Sequence, residues 1–379
     1  MNNLMYWSDS IIPSTSANSI QVMKMCEAFT NLGHITTLHA KKPNKSQIAP
    51  NTNLTELYGV SSDFKVLCHS SHRSIKHIDY DFTVSLNVLK AKPDLIYTRS
   101  LRGALSAHWC NIQFILELHF LPTTKKSNWI LKKVSKSNSI KKIVVISQKL
   151  KDMLLETHPY ISEFMIEVHH DAIDIERFAN SNLDSVETKV KLNLNPSRKI
   201  VMYVGHLYEG RGIDLIEQLA QTLPEIDFII IGGTEKDVLY RKSKSLQMGT
   251  SNLVYYGFIP NSKLHYYYAI ADLLIMPYQQ QVSVSGGGDT SQWMSPMKTF
   301  EYMASGKPLI SSDIPVLREV LDDEVAILVE ADKLEDWKSS IQNTLTNEAN
   351  WLIEYPETPG ERLQRNYVGK CRALIKYLR

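Results

Sequence analysis

Two stretches of the chain bring together residue types suited to holding a phosphorylated ligand. In Ser295-Pro296-Met297-Lys298-Thr299-Phe300-Glu301, an N-cap serine and a proline at the first helical position predict a helix start. Lys298 and Glu301 lie three residues apart on that helix, and Gly306 stops it. The N–H groups left unpaired at such a start, with the helix dipole behind them, favour an anion. A Gly286-Gly287-Gly288 run upstream predicts a loop leading into it. The second stretch, Gly205-His206-Leu207-Tyr208-Glu209-Gly210-Arg211-Gly212, predicts a glycine-rich turn between a strand and a helix. Arg211 supplies a cation there that stays charged near neutrality and can grip a phosphate with two N–H groups. Plainer readings stand beside these: a solvated arginine among glycines chosen for their backbone angles, and a Lys298–Glu301 pair on an exposed helix face.

His119 follows the apolar run Phe114 to Leu118, which predicts a place at the carboxyl end of a strand. Along that strand Glu117 faces away from Leu118, and His119 alternates back with it. A lone histidine after a strand also suits a structural role. Arg99, after Leu95 to Thr98, is a further candidate for an acceptor or phosphate contact.

The elements that must position these groups read as an α/β chain. Leu4 to Trp7, Ile35 to Ala40, Lys65 to His69, Leu95 to Thr98, Phe114 to Leu118 and Ile143 to Ile146 are short apolar runs, most of them separated by stretches of helix length. That pattern predicts a parallel sheet with helices on both faces. Ser19 to Leu32 predicts a helix with Ile20, Met23, Ala28 and Leu32 on its core face and Gly33 after it. The loop Ser14 to Ser19 precedes it, and Asn18 is a candidate N-cap. A polar stretch, 179–198, predicts a domain boundary. Beyond it the alternation restarts with strands Ile200 to Val204, Phe228 to Ile231, Leu253 to Tyr256, Leu273 to Met276 and Leu309 to Ser311. Helices are expected at Ile213 to Leu223, Lys236 to Leu246, Asn261 to Ile270, 296–304 and 333–345. The expected domains are 1–180, 181–355 and a tail, 356–379. The tail puts Leu363, Tyr367, Cys371, Leu374 and Leu378 on one helical face able to cross back onto the first domain.

The 379 residues are 43% hydrophobic and 22% charged with a net charge of +2, the balance of a globular protein long enough for two cores. No apolar run reaches the ~18 residues of a membrane helix, and Met1 to Trp7 does not read as a signal peptide. The four cysteines are scattered without metal-ligand spacing, which fits reduced thiols in the cytoplasm and speaks against zinc. Residues 1–180 hold 21 Lys and Arg against 15 Asp and Glu, so the first half carries the basic face.

Taken together and in order, these motifs resemble glycosyltransferase family 4, the group 1 glycosyltransferases of GT-B fold. The resemblance is carried by Gly205 to Gly212 and Ser295 to Pro308, with Ser16-Ala17-Asn18-Ser19, Asn31-Leu32-Gly33-His34, Glu117-Leu118-His119, Asp171-Ala172-Ile173-Asp174 and Tyr256-Gly257-Phe258-Ile259-Pro260. It implies two Rossmann-like domains facing across a cleft, the first for the acceptor and the second for a nucleotide-diphosphate-sugar donor. It further implies a retaining transfer without an obligatory metal or cofactor. The family's basic pair on the diphosphate falls on His206 and Arg211, where its members have arginine and lysine. Glu301 resembles the residue that accepts from the ribose hydroxyls. Trp293, eight positions earlier, stands where the family has the first glutamate of a pair. His119 matches a histidine beside the donor sugar. Catalytic roles thus fall on His119, Arg211 and Glu301, and donor-binding roles on Gly205, His206, Ser295, Met297, Lys298, Phe258 and Ile259. The loop Ser14 to Ser19 resembles the family's acceptor loop, with Ala17-Asn18 in place of glycines.

The run Lys125, Lys126, Trp129, Ile130, Leu131, Lys132, Lys133, Val134, Lys136, Lys141 and Lys142 mixes cations with apolar residues at near-helical spacing. It suits an anionic membrane surface, and with it a saccharide or lipid-linked acceptor met from the cytoplasm. A solvated helix packing Ile130 and Val134 on the sheet is the alternative. Nucleic acid is the poorer fit, given a net charge near zero and no recognised binding module, and no nucleic-acid partner is expected. A non-catalytic GT-B binding subunit and a nucleotide-sugar epimerase of the same fold are the rival functions.

Overall fold

The computed structural model describes residues 2–43, 52–61, 63–173, 184–283, 289, 291–346, 370–372 and 374. They form two compact units, one running to Ile173 and including Lys370 to Arg372 and Leu374, the other spanning 184–346. In the first, β1 (Asn3–Ile11), α1 (Ala17–Asn31), β2 (Ile35–Lys41), α2 (Leu54–Tyr58), β3 (Lys65–His69), α3 (Ile78–Ala91) and β4 (Leu95–Thr98) follow in order. After them come α4 (Leu101–Trp109), β5 (Phe114–Leu118), α5 (Lys125–Val134), β6 (Ile140–Val145), α6 (Gln148–Thr157) and β7 (Ile166–Val168). Every strand pair is parallel, in the order β3-β2-β1-β4-β5-β6-β7. The central strands are apolar in both directions because helices cover both faces of the sheet. Leu4, Tyr6 and Trp7 of β1 are wholly buried, as are Phe114, Ile115 and Leu116 of β5.

The second unit repeats the plan with α7 (Ser185–Lys191), β8 (Ile200–Val204), α8 (Ile213–Thr222), β9 (Asp227–Ile231), α9 (Glu235–Gln247) and β10 (Leu253–Gly257). It continues with α10 (Leu264–Ile270), β11 (Leu273–Met276), α11 (Met297–Ala304), β12 (Leu309–Ser312), β13 (Ile327–Val329) and α12 (Leu334–Thr346). Its parallel order is β10-β9-β8-β11-β12-β13. In both sheets the chain starts in the middle, builds outward on one side, then returns to build on the other. The crevice where the order reverses, at the carboxyl ends of β1 and β4 or of β8 and β11, is where open α/β sheets take ligands.

Local chemistry corrects several expectations. Helix α1 is capped by Ser16, whose side chain accepts from Ser19 N at 3.3 Å, and Asn18 lies exposed in the first turn. A serine oxygen reaches the N3 amide from Ser16, which leaves Asn18 already helical. Strand β6 begins at Ile140 rather than Ile143, so Lys141 and Lys142 lie in a strand and the lysine-rich helix ends at Val134. Ile130, Leu131 and Val134 are buried. The expected helix Asn261 to Ile270 opens as a 3-10 turn before α10. Within the polar boundary stretch a short helix forms, α7, capped by Asp184 and fastened by buried Lys189 to Asp272 at 3.0 Å. Strands β7 and β13 have three residues each, too few to show a period.

Of the expected tail face, Cys371 and Leu374 are buried in the first unit's core beside Met25 and Cys26. Leu363, Tyr367 and Leu378, like Gly286-Gly287-Gly288, lie outside the described residues.

Candidate functional site

In the second unit the glycine-rich turn leaves the carboxyl end of β8. The backbone there is so tightly packed that only glycine fits at Gly210 and Gly212 of the turn and at Gly232 beside it. A Cβ on Gly212, which has φ +74° and starts α8, would fall 1.9 Å from Pro277 O. A Cβ on Gly232, just after β9, would fall 2.0 Å from Gly205 O. The Gly232-Gly233 pair thus walls the turn, although its position after a strand was its only sequence signal.

Arg211 lies with its guanidinium carbon 4.4 Å from the centre of the Tyr278 ring, a cation–π contact. Among the described residues no carboxylate pairs with it, and its buried Nε has no hydrogen-bond partner. Burial works against its charge, but the neighbouring phenols of Tyr278 and Tyr203 hold it above its ordinary value, so it remains a cation. The ring of His206 stacks on Tyr208, 4.8 Å between centres and 8° from parallel. Burial, then the charges of Arg211 and Lys298, push His206 down to about 4, so it is neutral at pH 7.

The expected helix start lies beside this turn. Helix α11 begins at Met297 with Pro296 in the cap position and no side-chain cap, so Ser295 precedes the cap, one residue earlier than expected. Tyr302, fully buried, takes the Val204 amide onto its hydroxyl at 2.7 Å and donates to Val204 O at 3.1 Å. Those two bonds pin α11 to the last residue of β8. Gly306, at φ +67°, follows the helix as expected.

Glu301 is buried rather than on an exposed face. Lys298 Nζ donates to its Oε2 at 2.5 Å and Tyr268 Oη donates to the same oxygen at 2.6 Å; neither bond uses Oε1. Met297 and Ser295 are buried as well. Phe258, exposed, and Ile259, half-buried, follow β10 at the same sheet edge, where Gly232 N donates to Gly257 O at 2.7 Å. The structure therefore gathers Gly205, His206, Arg211, Lys298 and Glu301, with Ser295 and Met297 at the head of α11. Phe258 and Ile259 lie farther along the edge, two strands from β8. Tyr278 beside Arg211, Tyr268 on Glu301 and Tyr302 on the Val204 backbone leave no signal in the sequence that marks them as site residues.

In the first unit His119 follows β5. Its Nε2 stands 3.3 Å from Glu117 Oε1. Glu117 is fully buried and accepts from Lys370 Nζ at 2.7 Å. Burial alone would raise Glu117, but Lys370 and His119 outweigh it and hold the carboxyl well below the usual range. Burial and Arg99 lower His119, against an upward pull from Glu117. Arg99 Nη1 donates to Gln21 Oε1 at 2.8 Å, and Gln21 Nε2 to Asp171 Oδ1 at 2.5 Å.

Residues 184–364 match the family model described as glycosyl transferases group 1. This segment is thus similar to the group 1 glycosyl transferases. Proteins similar to this chain include a processive diacylglycerol alpha-glucosyltransferase of Acholeplasma laidlawii, 23% identical over 53% of this chain and 60% of that protein. Another is a D-inositol 3-phosphate glycosyltransferase of Mycobacteroides abscessus, 22% identical over 62% of this chain and 47% of that one. The matches thus span less than two thirds of these relatives' lengths. Among solved structures, Anabaena HepE in complex with UDP-glucose superposes with a TM-score of 0.73 at 14% identity, covering 99% of each chain. A glycosyltransferase from Rickettsia africae gives 0.73 at 16%, over 100% of this chain and 98% of the other. These likenesses show the fold: two Rossmann-like units of the GT-B kind.

Proposed function

We propose that the protein is a retaining, metal-independent glycosyltransferase of family 4. It moves a sugar from a nucleotide-diphosphate donor to a saccharide or lipid-linked acceptor in cell-surface polysaccharide or glycolipid synthesis. The observation that carries this reading is the buried guanidinium of Arg211, which no carboxylate pairs with among the described residues, beside the head of α11. A diphosphate supplies the missing anion. Arg211 and the N–H groups of Met297 and Lys298 then face the charge that grows on the departing phosphate, and such preorganised donors lower a barrier most where charge develops. Glu301 Oε1 accepts from the ribose, and His119 bonds the donor sugar. Retention rests on the family resemblance. The relatives act on diacylglycerol and inositol phosphate by their names, and HepE is seen with UDP-glucose; a nucleotide-sugar donor is the shared chemistry.

Transfer and donor hydrolysis, measured over a panel of nucleotide sugars, test the reading. Arg211→Ala and Glu301→Ala should each lose ~100-fold or more in rate, about 3 kcal/mol of barrier. Near-normal rates in both would sink the site assignment. Nucleotide binding with no turnover would favour the binding subunit, to which Trp293 and a neutral His206 lend support. Conversion of the donor sugar without acceptor would make the protein an epimerase.

For the membrane contact, the first unit offers a surface besides the lysine run. On the outer face of α3, Ile78, Phe82, Leu86 and Leu89 are 41–64% exposed and fall within one helical stripe. The acids of this helix are occupied, Asp79 by His72 and Asp81 by Arg102, whereas exposed Arg73, Lys76, Lys90 and Lys92 flank the stripe. Apolar residues framed by cations suit an anionic lipid interface.

A further inference from the structure

The described part of the carboxyl-terminal segment places one charged group deep in the first unit. The side chain of Lys370 is 1% exposed and that of Glu117 is 0% exposed, with 2.7 Å between Nζ and Oε1. Nζ also lies 3.4 Å from His169 O. The next residue, Cys371, faces Met25 of α1, so the segment is seated rather than laid across the surface. Glu117 Oε1, the oxygen that Lys370 holds, is also the one 3.3 Å from His119 Nε2. Among the described residues, neither Glu117 Oε2 nor His119 Nε2 has a hydrogen-bond partner of good geometry.

A buried ion pair is weak as a source of stability, because desolvation offsets much of the attraction and apolar replacements of similar volume often serve as well. A lysine delivered across 253 positions of sequence therefore calls for another role. We infer that Lys370 is a positioning residue: by occupying Glu117 Oε1 it leaves the His119 imidazole to the substrate instead of to the carboxylate. Without the ammonium, Glu117 would be a buried anion whose nearest cationic partner is His119. The imidazole would then take a proton and be held in a closed pair with Glu117, unable to accept from a sugar hydroxyl. The other ionisable groups facing the pair are Arg99, Asp171 and His169, with Tyr6, Tyr97 and Cys371 around the carboxylate. Of these Arg99 alone is a fixed cation, and its side chain is engaged with Gln21.

The importance of His119 to turnover rests on the proposed function, but its protonation can be read without turnover. In the full chain, NMR titration of the His119 imidazole, assigned by its loss in His119→Asn, should move to higher pH in Lys370→Met. The expected shift is about one to three pH units, the effect of an opposite charge at this distance. The acidic limb of the turnover profile should move with it, in kcat more than in KM. Lys370→Arg should restore the wild-type titration, and Glu117→Gln in the presence of Lys370 should shift it to lower pH. An unchanged titration in folded Lys370→Met overturns the inference. If that variant does not fold, an unchanged titration in Glu117→Gln does so. A moved titration in a protein that turns over no donor leaves the coupling intact and removes the transferase reading instead.

Discussion

Arg211 is a buried cation that no carboxylate pairs with among the described residues, and the residue beside it answers its field. His206 is neutral because it is buried and because Arg211 and Lys298 stand near it. A diphosphate would offset that field, since its negative charge favours imidazolium where the two cations oppose it. His206 should therefore rise from about 4 toward the ordinary range on binding and take up a proton. The uptake should be largest midway between the free and bound values, at pH ~5, and vanish by pH ~8. Calorimetry of UDP binding in buffers of different ionisation enthalpy reads it directly. His206→Asn should lose the uptake and bind more weakly at pH 6 than at pH 8 relative to wild type; equal uptake in both would assign the proton to the nucleotide itself.

At the scale of elements, the site depends on how a helix of eight residues is held. Helix α11 is too short to persist alone, and its head is placed by Tyr302 against Val204 and by the packing of Tyr302 on Tyr268, 5.9 Å between ring centres. Tyr268 in turn holds Glu301. Removing one hydroxyl would leave both polar groups of the Val204 peptide edge without their tyrosine partner in a buried strand end. Tyr302→Phe should therefore cost about 1–3 kcal/mol, seen as a lower Tm. It should also raise KM for the donor more than it lowers kcat, because the helix head drifts while the reacting groups remain. A Tm within a few tenths of a degree of wild type would show that other contacts place the helix. The glycine turn is built differently: close backbone approach to Pro277 and Gly205 sets it, so substitutions there act through sterics and not through a lost bond.

For the whole molecule, two sheets alike in the order of their first six strands arise from one repeated pattern, and the first unit carries the basic surplus. Its α3 stripe gives that surplus a direction. Full-length protein should co-sediment with vesicles containing anionic phospholipid and only weakly with zwitterionic ones. Phe82→Glu with Leu86→Glu should weaken that binding at least tenfold, since each exposed side chain forfeits about 1.5–3 kcal/mol of burial. Equal binding to both vesicle types, or an unaffected double variant, would remove α3 as the contact. Much of this organisation was legible in advance. Strands β4 and β5 and the glycine turn sit where alternation and glycine spacing put them, because a strand buried on both faces and a turn with no room for a Cβ leave a local mark in the sequence. The cap of α1 moved from Asn18 to Ser16 and the helix of the lysine run ended early, because several nearby residues could serve and only the realised backbone chooses among them. What the sequence by itself determined was the kind and order of the elements and the charged groups at their ends. Only the tertiary structure decided that Tyr278 lies under Arg211, that Tyr302 ties α11 to β8, and that Lys370 reaches Glu117. These are contacts between residues 67, 98 and 253 positions apart, set by packing that no local period encodes.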